Sequence, residues 1–245
     1  MGDKIAILTD IHGNCTALTA VLEEIDQNDE VQHIYCLGDL IGIGHETNEV
    51  LDVLFSRRDL SIVLGNHEEA ILAILNGKEP KSKGNERAHH EWIASHISED
   101  FISYIKEFPK SIMAKQHDVN LLFTHYHLDE KEQFLQVDYE PTVKKLDEIY
   151  QKSNADIVCF GHHHVVHHFK SKERMYFNPG SLGCNHKPLA PYAILSIGEG
   201  GSIDLSLKEV PYDNQEFLLT FDKLNVPAKE FILNLFYGNQ HLKYL

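Results

Sequence analysis

Three short apolar runs, separated by two amphipathic ones, constrain this chain more than anything else in it. KIAILTD (4–10), HIYCLGD (33–39) and SIVLGN (61–66) are rich in Ile, Val and Leu, as strands buried on both faces require. Between them TALTAVLEEIDQ (16–27) and ETNEVLDVLFSRR (46–58) carry apolar residues at helical spacing, and HEEAILAILNG continues as a helix ending at Gly77. This βαβαβ rhythm predicts a layered α/β domain around a parallel sheet. KEPKSKGNE (78–86) reads as an exposed loop, and ERAHHEWIASHI and SEDFISYIKEFP as two helices stopped near Pro109. A strand at NLLFTH (120–125), a helix at PTVKKLDEIYQK (141–152) and a strand at DIVCFG (156–161) come next. Hairpin-like runs then follow at VVHHF, RMYFN, YAILSIG and SIDLSLKEV, with a Gly/Pro turn at NPGSLG (178–183), and two more helices after Pro211. A chain of 245 residues with 42% hydrophobic content supports one sizeable core. The expectation is a single domain over 1–245, with 78–110 as a cap insertion and 211–245 as a helical C-terminal extension.

The strands end in an unusual way. The first ends in Asp10 with His12 two residues on, the second in Gly38-Asp39, the third in Gly65-Asn66-His67-Glu68. Two later ones end in His125 and in Gly161-His162-His163-His164. Ligands of open α/β sheets gather beyond the carboxyl ends of the strands, so five loops are expected to converge. In extended backbone residues i and i+2 point the same way, which would pair Asp10 with His12 and His162 with His164. Asp10, His12, Asp39, Asn66, His125, His162 and His164 are too many donors for one tetrahedral ion and suit two ions of higher coordination. Imidazole, carboxylate and amide oxygen together favour Mn, Fe, Zn, Co or Ni over Ca or Mg. Such a pair would draw in a phosphoryl group and stabilise both oxygens of an in-line displacement.

TDIHGN, LGDLIG, LGNHEEA, THYH and FGHHHV, in that order, resemble the signature of the calcineurin-like metallophosphoesterase superfamily over about residues 4 to 207. The resemblance implies a four-layer αββα sandwich with a dinuclear site at one edge. By resemblance, Asp10, His12, Asp39 and His164 would hold one metal, and Asp39, Asn66, His125 and His162 the other. Asp39 would bridge the two, with Mn or Fe favoured. The nucleophile would be a metal-bridging hydroxide. Asn66 and His67 would contact the phosphate, and His67 would protonate the leaving oxygen. GDLIGIGHETNEVL, GNHEEA, the Trp92-bearing helix, GHHH and NPGSLG resemble more narrowly the small bacterial and archaeal phosphodiesterase-like subgroup. The expected activity is hydrolysis of a small phosphodiester or nucleotide-like substrate. A phosphomonoesterase, including a Ser/Thr protein phosphatase, and a non-catalytic metal-binding scaffold are the alternatives. Protein phosphatases follow their Gly-Asp with an Asp-Arg-Gly element whose Asp orients the catalytic His. Leu40 to Gly44 contains neither that Asp nor that Arg, so the sequence leaves open what orients His67.

The remaining features narrow the partners. Lys and Arg number 22 against 37 Asp and Glu, a net charge of −15, which argues against a nucleic-acid polymer. No signal-peptide core or membrane-length apolar stretch is visible, and four scattered cysteines read as a reduced, cytoplasmic protein without a membrane partner. Cys36 and Cys159, inside apolar runs, read as packing. His163, His167 and His168 read as bystanders, and Tyr126-His127 as pocket lining. His89, Trp92 and His96 share a helical face, read as packing or as a cap that stacks a base. Phe217, Leu218, Phe221 and Leu224, then Phe231, Ile232, Leu235 and Phe236, read as packing, with a homo-oligomer contact as the alternative.

Overall fold

The structure, a computed structural model, describes residues 3–245. β1 (Asp3–Leu8), β2 (Val31–Cys36) and β3 (Leu60–Ile62) lie parallel, joined by α1 (Cys15–Asp26) and α2 (Thr47–Phe55). Asn14 starts α1 by accepting the Ala17 N–H at 3.0 Å, the usual capping bond for a helix's unpaired first turn. After β3 come α3 (Asn66–Leu75), α4 (Gly84–His96) and α5 (Glu99–Ile105). A second sheet follows, with β4 (Ser111–Gln116), β5 (Val119–Thr124), α6 (Val143–Ile149), β6 (Ile157–Cys159), β7 (Val166–Lys170) and β8 (Met175–Pro179). The chain then returns to the first sheet with β9 (Leu189–Ile197) and β10 (Ile203–Pro211), and closes with α7 (Gln215–Lys223), α8 (Lys229–Leu235) and a 3-10 turn at Gln240–Lys243.

Both sheets have five strands, ordered β10-β9-β1-β2-β3 and β4-β5-β6-β8-β7. In the first, β1, β2 and the edge strand β3 run parallel and β9 is antiparallel to both β1 and β10; in the second, β5, β6 and β8 run parallel and the antiparallel strands β4 and β7 form the edges. Alternation along the strands divides the apolar residues between layers. Ile5, Ile7, Leu195 and Ile197 of the first sheet meet Leu121, Phe123, Ile157 and Phe177 of the second in the central core. Ala6, Leu8, Ile34 and Cys36 face the other way, onto α1 and α2. Val158 and Tyr176 face α6 through Leu146 and Tyr150. The result is the αββα sandwich, and the parallel ends of β1, β2, β3, β5 and β6 open on one edge.

Three expectations shift. The segment 78–86, expected as an exposed loop, buries Ser82 and gives its last three residues to α4. β4 was not expected: SIMAKQ is a half-buried edge strand whose Met113 is exposed, so burial leaves little pattern on it. The C-terminal helices bury Phe217, Leu218, Phe221, Ile232 and Leu233 against Ile43 and Cys184, the packing reading. Leu224, Phe231 and Leu235 stay largely exposed.

Candidate metal centre

The seven donors meet in two groups with Asp39 between them. In the first, His12 Nε2 lies 2.8 Å from His164 Nε2, and Asp10 Oδ1 lies 3.6 and 3.4 Å from those two nitrogens. In the second, Asn66 Oδ1 lies 2.7 Å from His162 Nδ1 and 2.9 Å from His125 Nε2. Asp39 Oδ2 is 3.1 Å from His125 Nε2 and 3.9 Å from His12 Nε2, facing both groups. Its other oxygen accepts the His67 N–H at 3.0 Å.

The spacing within these loops does not come from extended backbone. Asp10, His12, Asp39, His162 and His164 all have left-handed φ, at 54°, 51°, 51°, 69° and 58°. The i, i+2 pairs therefore converge through left-handed turns rather than through strand alternation. Non-glycine residues there cost about 1–3 kcal/mol each and persist only where surroundings over-determine them. Bonds between the loops supply that constraint. Asp10 N donates to Gly38 O (3.1 Å), His12 N to Asp39 O (3.0 Å), Gly161 N to His125 O (2.8 Å) and Gly183 N to Asp10 O (3.0 Å).

The electrostatics fit a cation. Burial alone would raise Asp10 and Asp39. Contacts with His12 and His164 for the first, and with His125 and His67 for the second, outweigh it and hold both carboxyls well below the usual range. Burial lowers His12, and takes His162 down to about 4, which favours neutral imidazole with its lone pair free. His125 goes the other way: Asp39 overcomes burial and pushes it up to about 9. Its Nδ1 is fixed on Leu37 O at 2.8 Å, so Nε2 is the nitrogen turned to the cluster. Asp39 thus favours the charged ring, and a divalent ion would take over that pairing, with Nε2 as ligand. The donor set of imidazoles, carboxylates and one amide oxygen fits such ions.

A family model for the calcineurin-like phosphoesterase superfamily domain matches residues 4–200. The chain belongs to this superfamily. An uncharacterized protein of Methanocaldococcus jannaschii is 28% identical over 198 residues, covering 73% of this chain and 76% of its own. A symmetrical bis(5'-nucleosyl)-tetraphosphatase of Buchnera aphidicola is 31% identical over 100 residues, but the match takes in only 40% of this chain and 36% of the tetraphosphatase. A metallophosphoesterase from Sphaerobacter thermophilus shares the fold, with a TM-score of 0.72 at 20% identity over 96% of this chain and 98% of the other.

Of the other residues, His163 and Trp92 fall as expected and His127 does not. His163 turns from the cluster to His167, 2.9 Å between ring nitrogens. Tyr126 lines a cavity beside Asn66 and His162, but His127 is buried and bonds the Tyr150 hydroxyl at 2.9 Å, inside the α6 layer. Trp92 packs between His89 and His96 and against two core clusters, so its face is occupied. The cavity measures 500 Å³, within the range of small-molecule sites of about 300–1,000 Å³. Three roles escape sequence reasoning. Glu68 is fully buried and takes the N–H groups of Asp39 (2.9 Å), Gly65 (2.9 Å) and Ile41 (3.1 Å). Ser181, in the NPGS turn, donates to Asp10 O at 2.8 Å. His90 bonds His67. The signal for the first was its place after Asn66-His67, and for the second the NPGSLG motif; His90 carries none in a single sequence.

Proposed function

We propose that this phosphoesterase hydrolyses a small phosphodiester or nucleotide-like substrate at a dinuclear metal centre. The observation that carries the reading is the pair of donor groups sharing Asp39 and opening, through Asn66 and His162, into the 500 Å³ cavity. Asp10, His12 and His164 would hold one ion, Asn66, His125 and His162 the other, and Asp39 both. Bound divalent ions would lower the pKa of water between them and neutralise charge on the phosphoryl oxygens. Asn66 and His67 open α3, so phosphate would also meet the positive end of that helix. His67 Nε2 lies 3.9 Å from Asp39 Oδ2, on the centre's side of the ring, where it would hydrogen-bond the phosphate and hand a proton to the leaving oxygen.

A diester is favoured over a monoester by what lines the cavity. Among the described residues it offers one lysine, Lys81, and no arginine, beside Glu69, Glu79 and Glu86. Glu69 and Glu79 are paired with Lys110 and Arg87. A singly charged diester suits such walls better than a dianion or a polyphosphate chain; the partial likeness to tetraphosphatases supports only the nucleotide-like part of the reading.

The test compares bis-p-nitrophenyl phosphate with p-nitrophenyl phosphate after loading with Mn, Fe, Ni or Zn. The reading expects kcat/KM for the diester to exceed that for the monoester by at least ~10-fold, about 1.4 kcal/mol of transition-state preference. It expects Asp39→Asn to abolish both activities. Preference for the monoester overturns the diesterase assignment, and no turnover with any metal overturns the enzyme.

A further inference from the structure

Leu40 to Gly44 offers no carboxylate to orient His67, yet the ring is not left loose. His67 Nδ1 lies 2.7 Å from His90 Nε2, and His90 Nδ1 lies 2.9 Å from Ser82 Oγ. All three residues are buried. The two rings meet edge to face, with centroids 4.8 Å apart and planes at 85°. His90 comes from α4, Ser82 from the segment just before it, and His67 from the first turn of α3. Gly42 completes the seat: a Cβ there would run into the His67 ring at Nδ1.

We propose that His90 is a positioning residue for His67, a neutral replacement for the missing carboxylate, held in turn by Ser82. With Nδ1 committed to His90, Nε2 is the only ring nitrogen left for substrate. In the proton-donating state His67 carries hydrogens on both nitrogens. Nδ1–H donates to His90 Nε2, and His90 Nδ1–H donates to Ser82 Oγ. As a water oxygen bonds to phosphorus, the bond from phosphorus to the leaving oxygen breaks, its electron pair goes to that oxygen, and the oxygen takes the Nε2 proton. His67 is then neutral with Nδ1–H intact, so neither relay bond reverses. The kinetic consequence rests on the phosphoesterase reading above; the relay itself does not.

The test uses the full chain and a series of diaryl phosphates whose leaving groups run from p-nitrophenol to phenol, with Mn bound. A p-nitrophenolate leaves without help, whereas phenolate needs the proton. His90→Leu should lower kcat for the phenol leaving group by about 100-fold, within the range of general acid catalysis, and by less than about 3-fold for p-nitrophenol. KM and metal content should stay unchanged. His90→Gln, whose side-chain oxygen can accept from Nδ1–H, should stay within about 5-fold of the parent, a loss of about 1 kcal/mol. Equal losses across leaving groups, or Gln as poor as Leu, overturn the assignment. So does loss of one metal equivalent in His90→Leu, which would make His67, Glu86 and His90 an ion site, their ligand atoms lying within 4.8 Å. Nitrogen-15 spectra of histidine-labelled, Zn-loaded protein decide the relay without any substrate. Neutral His67 should appear as the Nδ1–H tautomer and become a mixture in His90→Leu. An Nε2–H tautomer in the parent overturns the relay even if turnover is found, and its presence as Nδ1–H sustains the relay even if no ester is cleaved.

Discussion

Asp39 is held on every side. One oxygen takes the His67 N–H, its own N–H goes to Glu68, and its φ of 51° is one that few non-glycine residues adopt. Glu68, which also takes the Gly65 and Ile41 N–H groups, therefore helps fix the direction in which the Asp39 carboxylate points. Glu68→Gln leaves a single acceptor oxygen and turns an amide N–H toward backbone donors. Metal affinity, measured by competition with a chelator, should fall about 10–100-fold, as for other outer partners of ligands. Unchanged affinity would show that the Asp39 loop holds itself. At this scale the sequence was informative about type and poor about direction. Asp10, His12, Asp39, Asn66, His125, His162 and His164 stood out because metal-competent side chains ended successive apolar runs. Their left-handed turns did not, because identical spacing serves an extended pair and a turned one. His90 escaped because helical-face reasoning placed His89 with Trp92 and His96 and gave its neighbour no partner.

Loops between regular elements set the distances among those residues. The turn after β2 passes so close to His67 that Gly42, at a φ of 90°, has room for no side chain. Gly42→Ala should displace the imidazole while leaving the seven donors in place. A shift of about 1 Å commonly costs about 100-fold in rate, so kcat should fall by that order with metal content retained. Loss of metal together with activity would contradict this local account. The NPGSLG turn works similarly on the other side, where Leu182 and Gly183 N–H groups pair with the carbonyls of Thr9 and Asp10. The sequence marked this segment as a turn, but only the return of the chain to the first sheet explains why it matters. Strongly periodic helices such as α1 and α2 were legible to within two or three residues. β4 was not, since an edge strand with one partner and exposed side chains keeps a weak alternation.

Across the whole molecule, two sheets bring five parallel strand ends to one edge, and two layers of helices cover their outer faces. The helical C-terminal segment closes over that edge, with Phe236 packed on the His164 ring at 5.7 Å between centroids. The net charge of −15 lies on this scale as well. It belongs to the surface, while the centre gathers two carboxylates among imidazoles and would become positive with two divalent ions bound. No helix among the described residues is long and apolar enough to cross a membrane. All of this converges on one claim, that the loops hold a pair of cations on either side of Asp39. Anomalous diffraction at the Mn edge, from crystals grown with Mn, tests it most directly. The account predicts two peaks about 3.5–4 Å apart, one among Asp10, His12 and His164 and the other among Asn66, His125 and His162. A single peak, or peaks that leave Asp39 unshared, would contradict it.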